Sequence, residues 1–168
     1  MPRAGIALGS NLGRRLANLQ AARELLRRLA LPGTVLLQAP VYQTTPRDCP
    51  DGSPDFLNTV VEIGYAGTPG ELLGHSQAIE AALGRSPGPH CNAPRPIDLD
   101  LLYFGDAVDQ SATLQLPHAR LTQRRFVLQP LADIRPDLIL PGHCRTIAEH
   151  LAHCPANEPA LKLLRRRW

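Results

Sequence analysis

Lysine is almost missing from this chain. Of its 18 basic residues only Lys162 is a lysine, so seventeen are arginines. A Walker-type phosphate loop ends in Gly-Lys-Ser/Thr, and a protein kinase needs a lysine on its third strand. Neither can be assembled here, so any nucleotide phosphate must be met by arginine, backbone amides and metal-binding carboxylates. Aromatic residues are scarce as well, seven in all, and fifteen acids are interleaved with the arginines. Stacking platforms and a basic face for nucleic acid are therefore not expected. The apolar runs stop far short of the roughly 20 residues that a membrane span requires. No basic leader with an apolar stretch and a small-residue cleavage site precedes Gly5–Ser10, which points to a soluble, cytoplasmic protein. The four cysteines, Cys49, Cys91, Cys144 and Cys154, contain no C-x-x-C pair, so free thiols are expected. His143, Cys144, His150, His153 and Cys154 include zinc-ligand types, but their spacing fits no regular zinc pattern.

What is present is an ordinary globular mix, 43% hydrophobic and 20% charged over 168 residues. The length predicts one domain, residues 1–168, able to bury about two-thirds of its unfolded surface without staples. Residues 4–8 read as a short buried strand, and Gly9-Ser10-Asn11 as a turn into a helix. Leu12, Leu16, Leu19, Ala22, Leu26 and Leu29 recur at helical spacing until Pro32-Gly33. Val35, Leu37, Ala39 and Val41 alternate as in a strand from Thr34 to Thr44. Residues 45–55 read as loop, and Leu57–Tyr65 as a second strand. Thr68-Pro69-Gly70-Glu71 is a capping box with proline at the first helical position, and Gly84 is a natural left-handed stop. A proline-rich loop, residues 86–96, leads to a strand Ile97–Phe104. A turn at Gly105-Asp106 follows, then helices around Arg124–Ala132 and from near Thr146. Strand–helix–strand–strand–helix–strand over residues 4–104 is the ferredoxin-like order. The fold expected is α+β, a ferredoxin-like βαββαβ core with a C-terminal hairpin and helical extension.

The chemistry concentrates in Ile97-Asp98-Leu99-Asp100-Leu101-Leu102. Residues two apart on a strand share a face, so Asp98 and Asp100 stand about 7 Å apart along it. Two unscreened carboxylates repel, and burying them unpaired is expensive. A divalent cation answers both problems, and magnesium is held by one or two carboxylates plus substrate phosphates. The other reading is a solvated strand face, against which the flanking leucines and isoleucine argue by excluding an exposed edge. Arg85 and Arg95 frame the preceding loop, and guanidinium forks match phosphate geometry. Either arginine alone reads as a surface ion pair; both beside the acid pair point to phosphate chemistry. Glu80 and His118 carry no signal of their own.

The residues do match a family pattern. Ala7-Leu8-Gly9-Ser10-Asn11-Leu12-Gly13, Val41-Tyr42-Gln43-Thr44 with Asp55-Phe56-Leu57-Asn58, and Glu80 with Leu83-Gly84-Arg85 come first. Ala93-Pro94-Arg95-Pro96-Ile97-Asp98-Leu99-Asp100-Leu101-Leu102 and Leu116-Pro117-His118 through Leu131 follow in order. Over almost its whole length the chain resembles the 6-hydroxymethyl-7,8-dihydropterin pyrophosphokinases of folate biosynthesis. The resemblance implies transfer of pyrophosphate from ATP to the pterin hydroxymethyl oxygen, leaving AMP. It implies that Asp98 and Asp100 bind two Mg2+ ions, and that Arg85 and Arg95 assist the chemistry. By the same match Glu80, His118 and Arg124 sit on the ATP side. Thr44 falls in the pterin-pocket segment, Asn58 hydrogen-bonds the pterin, and Phe56 and Phe126 stack on its two faces. A monomer acting on these two small molecules is expected.

Two positions depart from that pattern. Many members carry a loop tryptophan where this chain has Cys91-Asn92-Ala93, and a tyrosine where it has Ala119. Some relatives are fused to neighbouring folate enzymes, for which 168 residues are expected to leave no room. Another metal-dependent phosphate enzyme, such as a nucleotidyltransferase or nuclease, would use the same acid pair. A non-catalytic ferredoxin-like binding module is the remaining alternative.

Overall fold

The computed structural model describes residues 1–46, 51–86, 94–155 and 161–168. Cys49, Cys91, Asn92, Ala93 and most of the proline-rich loop lie outside those residues. The elements are β1 (Arg3–Ser10), α1 (Arg15–Leu29), β2 (Leu37–Gln38), β3 (Val41–Thr44), β4 (Phe56–Gly64), α2 (Pro69–Ala82) and β5 (Asp98–Phe104). A small hairpin β6 (Asp109–Gln110) and β7 (Gln115–Leu116), a 3-10 turn (Leu121–Gln123), α3 (Arg125–Ile134), α4 (Ile147–Ala152) and β8 (Lys162–Arg165) complete the chain. One antiparallel sheet runs β5-β1-β4-β3-β8, with β2 also pairing β4.

Alternation along the strands sends side chains to two cores. Ile6, Leu8, Val61, Ile63, Leu99 and Leu101 pack with Leu19, Ala22 and Leu26 of α1 and Leu72 and Ile79 of α2. Val60, Leu102 and Tyr103 pack with Val127, Leu128 and Leu131 of α3 and Ile147 of α4. Helices therefore cover both faces. The predicted caps are built: Thr68 and Glu71 form a reciprocal capping box on α2, Thr146 and Glu149 form another on α4, and Gly84 turns at φ 92°. No helix among the described residues is long and apolar enough to cross a membrane.

Three local expectations are corrected. Leu12 does not belong to α1; it is 45% exposed, because Gly13 at φ 67° turns the chain before the helix begins. The strand expected over Thr34–Thr44 is broken into β2 and β3. Pro40 has no N–H for the ladder, and the pairing with β4 slips by one residue across Ala39-Pro40, as at a bulge. β5, expected away from an edge, is an edge strand of the sheet; its apolar residues are covered from the faces. The tail also adds a strand with no counterpart in the sequence reading. β8 pairs β3, and Trp168 anchors it by donating its indole N–H to the Ala39 carbonyl at 2.8 Å beneath the Arg23 guanidinium.

At the lower end of the sheet Tyr103 lies across Gly5, where a Cβ would come within 2.6 Å of Tyr103 Cζ. The Tyr103 hydroxyl donates to fully buried Glu62, which also accepts from Arg3 and from Arg135 at 3.3 Å. Gly5→Ala must displace that ring and should cost about 1–3 kcal/mol. Gly74, inside α2 with open space around it, should instead gain about 0.5–1 kcal/mol on Gly74→Ala. Chemical unfolding of both variants checks the pair; equal effects would contradict the packing at Gly5.

Candidate active site

The site grows from one glycine. Gly9 of β1 pairs with Asn58 of β4 on one side and Asp98 of β5 on the other. One rung below on the same face, Ala7 pairs with Val60 and Asp100. β1 thus offers a low floor walled by an amide and two carboxylates. A Cβ on Gly9 would meet Asn58 Oδ1 at 3.0 Å, Phe56 Cδ1 at 3.7 Å and Asp98 Cβ at 4.0 Å. Asn58 Nδ2 donates to Thr44 Oγ1 at 2.8 Å, and both side chains are buried. That bond leaves the Asn58 carbonyl oxygen directed over the floor.

A charge cluster occupies the β5 side. Arg85, just past the end of α2, donates from Nη1 to Glu80 Oε1 and to Asp98 Oδ1 at 2.6 Å. Arg95 approaches the second oxygen, with Nη1 at 3.3 Å from Asp98 Oδ2. Glu80 also accepts the Leu99 backbone N–H at 2.6 Å, which ties α2 to the acid-bearing strand. Burial pushes the Glu80 carboxyl up to about 6, although the Leu99 amide and Arg85 oppose it. Burial opposes the Arg85 charge, but Asp98 and Glu80 outweigh it and hold the guanidinium more firmly protonated than usual. Asp100 is raised by burial and then by its neighbour Asp98, while His118, Arg124 and Arg85 pull the other way.

Beside Asp100 lies a cavity of about 250 Å³, walled by Leu73, Leu99, Leu101 and Leu114 with His118 and Thr113 at its polar side. His118 is held by its own N–H, which donates to the Leu102 carbonyl at 2.8 Å. The Arg120 amide donates to His118 Nδ1 at 3.2 Å, leaving Nε2 to carry the proton of the neutral ring. Burial, with Arg124 and Arg120 nearby, keeps that ring below the ordinary histidine value against the pull of Asp100.

The expected residues are therefore brought together in three linked groups. Glu80, Arg85, Asp98 and Arg95 form one chain of ion pairs; Asp100, His118 and Arg124 share one field; Asn58 and Phe56 meet at Gly9, with Thr44 bonded to Asn58. Phe126 is half-buried on α3 with the Arg124 guanidinium 5.5 Å from its ring centroid, and no contact joins it directly to Phe56. The floor residue Gly9 and the cavity wall Leu73, Thr113 and Leu114 were missed by the sequence reading. Gly9 matters only through its pairing with β4 and β5, which the chain read in order does not show, and scattered leucines mark no cavity. In the tail, Cys144 is exposed, Cys154 is buried, and both are free thiols. Among the described residues no group of three His, Cys, Asp or Glu side chains is arranged to hold a metal ion. A cation at Asp98 and Asp100 would draw its remaining ligands from substrate oxygens and water.

The carboxylates fit such a cation. Asp100 is desolvated beside a like charge and receives no hydrogen bond from the described residues, so its oxygens are open to a positive ligand. Asp98 would share its oxygens with the two arginines.

Comparison with known proteins defines the class. Residues 5–136 match the model of the 7,8-dihydro-6-hydroxymethylpterin-pyrophosphokinases. The 2-amino-4-hydroxy-6-hydroxymethyldihydropteridine pyrophosphokinase of Pseudomonas aeruginosa is 40% identical over 151 residues, covering 89% of this chain and 90% of that protein. The mitochondrial folate synthesis bifunctional protein of Pisum sativum is 40% identical over 129 residues, which are 77% of this chain; the match covers about a quarter (24%) of that protein. The chain belongs to the 7,8-dihydro-6-hydroxymethylpterin-pyrophosphokinase family. The crystal structure of wild-type Plasmodium falciparum HPPK-DHPS shares the fold, with TM-score 0.70 at 14% identity over 90% of this chain and 44% of that one.

Glu80 sets a pH dependence. Its folded value of about 6 lies above the ordinary 4.5, so the folded state holds that proton more tightly. The associated stability is complete below the ordinary value and is lost as pH rises through about 6. Between about pH 4 and 7, the stability gap separating wild type from Glu80→Gln should change by on the order of 1–2 kcal/mol. Asp100 and His118 titrate in both proteins, so the Glu80 contribution is read from the difference between the two profiles. Urea titrations across that range decide it, and parallel profiles would show that Glu80 titrates normally.

Proposed function

We propose that this site moves a pyrophosphate unit from ATP to the hydroxymethyl oxygen of 6-hydroxymethyl-7,8-dihydropterin, with release of AMP. The hydroxyl oxygen attacks the β-phosphorus, the bond from the β-phosphorus to the α-bridging oxygen breaks, and the hydroxyl proton is lost. The observation that carries this reading is the rung Asn58–Gly9–Asp98. It sets an amide suited to a heterocycle edge across β1 from the arginine-clamped Asp98, with Asp100 one rung below.

On this reading Phe56 and Phe126 hold the flat pterin, and Asn58, fixed by Thr44, reads its polar edge. The leucine-walled cavity beside His118 takes the nucleotide base side, and Glu80 and Arg124 act on the ATP side. Asp98 and Asp100 hold two magnesium ions, which neutralise phosphate charge and polarise the group in transfer. Arg85 and Arg95 place fixed positive charge where negative charge develops, acting more in the transition state than at rest. The strand order β5-β1-β4-β3 supports a ferredoxin-like core, extended by the β6–β7 hairpin, α3, α4 and β8. One sheet shared by both apolar clusters supports a single domain over residues 1–168. We read the protein as a cytoplasmic monomer with no nucleic-acid or membrane partner, which its interleaved charges and short apolar runs support.

The direct test is a magnesium-dependent assay for AMP and pterin diphosphate from the two substrates; AMP production indifferent to the pterin would sink the proposal. Asp100→Asn should lower turnover by several orders of magnitude. Its melting temperature should hold or rise, because a desolvated charge is removed; near-normal turnover would contradict the metal role. Phe56→Ala and Phe126→Ala should each weaken pterin binding by about 2–4 kcal/mol, ring stacking and lost area combined. Calorimetric titration beside a melting curve separates the alternatives. Lost stability with unchanged affinity would make the rings core residues.

A further inference from the structure

β5 begins where its ladder with β1 is interrupted. Gly9 pairs with Asp98, and continuing that register would set Asn11 opposite Pro96. Proline has no N–H to give, so the ladder loses a donor beside the acid pair. Two asparagine side chains tie the segment to the β1–α1 turn instead. Arg95 donates its backbone N–H to Asn11 Oδ1 at 2.8 Å, and the Asn11 backbone N–H donates to the Arg95 carbonyl at 3.2 Å. The Asn11 side chain thus plays the part of a strand carbonyl. Asn18, in the first turn of α1, donates from Nδ2 to the Pro96 carbonyl at 3.0 Å and to the Leu12 carbonyl at 3.1 Å. One amide therefore ties the turn before α1 to the residue that follows Arg95.

The arrangement carries a cost that packing does not explain. Asn11 is fully buried, and its Nδ2 has no hydrogen-bond partner among the described residues. A buried unpaired donor is unfavourable and calls for a reason. Aspartate would accept the same Arg95 amide without that donor, but would add a further negative charge to the cluster of Glu80, Asp98 and Asp100. An asparagine here keeps the acceptor and spares the charge.

We propose that Asn11 and Asn18 are positioning residues that fix the backbone of Arg95–Pro96 and so set where the Arg95 guanidinium enters the site. The proposal rests on the role given to Arg95 above. It places the control of that arginine in the β1–α1 turn, not in the strand that carries the carboxylates. Misplacing a catalytic group by about 1 Å can cost on the order of a hundredfold in rate.

The test is a double-mutant cycle on kcat. Asn18→Ala should lower kcat by about ten- to a hundredfold, with the KM for ATP and for pterin changed by less than about threefold. In an Arg95→Ala background, Asn18→Ala should cost nothing further, because the group it positions is gone. Losses that multiply would overturn the proposal, as would unchanged kcat in Asn18→Ala. An Arg95→Ala protein at full rate would overturn both this proposal and the role of Arg95. Multiplying losses with a slow Arg95→Ala protein would remove the anchor alone. If Asn18→Ala does not fold, hydrogen exchange in the unaltered protein decides. Exchange at the Arg95 amide as slow as at Leu99 in β5 supports the anchor, and exchange at the rate of an open amide overturns it.

Discussion

Everything in this molecule hangs on a strand that is short of side chains. β1 is flanked on both edges, by β4 and by β5, and on the face toward α3 it carries Gly5, Ala7 and Gly9. A strand in that position normally fills its own face. Here neighbours fill it: Tyr103 lies over Gly5, and Phe56 and Asn58 lean toward Gly9. The lower end of the row becomes packed structure around Glu62, and the upper end stays a floor on which polar groups converge. The same omission that lets the sheet close tightly below leaves working space above.

β5 shows how the sheet aims its acids. Between Gly5 and Ile6 the β1–β5 register shifts, so Leu102 and Tyr103 both enter the second core. Above that irregularity, alternation is undisturbed, and Asp98 and Asp100 share the face that carries Ala7 and Gly9. Below it Tyr103 reaches Glu62, whose burial is matched by Arg3 and Arg135. On the proposed reading the bulge separates a structural use of buried charge from a chemical one on a single strand. In the structural set every carboxylate oxygen is spoken for. In the chemical set Asp100 is left beside Asp98 with its field unbalanced.

Much of this was legible in the sequence, for reasons that differ by element. Thr68-x-x-Glu71 and Gly84 specify the ends of α2 through local hydrogen bonds, so no tertiary context was needed to read them. Asp98 and Asp100 were legible because a strand period of two is rigid. Leu12 misled because it keeps the spacing of α1, while Gly13 settles the backbone before spacing matters. Val35 through Val41 alternate correctly, yet Pro40 forces a slip that only the partner strand β4 reveals. β8 was illegible: Leu163 and Leu164 are flanked by basic residues and stay exposed, and what holds the tail is Trp168 reaching Ala39, over a hundred positions away in the chain. The roles of Gly9, Asn11 and Asn18 come from long-range pairing, and a single chain read in order offers no signal for pairing.

Charge balance is the last constraint on how the site can work. Three acids, Glu80, Asp98 and Asp100, stand among three arginines, Arg85, Arg95 and Arg124, so the half-buried cluster is close to neutral with His118 uncharged. Desolvated sites penalise net charge of either sign. On the proposed reading a bare polyphosphate would add several negative charges at once, and divalent cations alone would add several positive ones. Each is disfavoured where the other is absent, whereas nucleotide and metal together enter nearly neutral. Arg85 and Arg95 then need not leave Asp98 for lack of a counter-charge; they can turn toward phosphate oxygens as the cations take over the carboxylates. On that reading the ion pairs seen at Asp98 are the resting partners of groups whose other partner would arrive with the substrate.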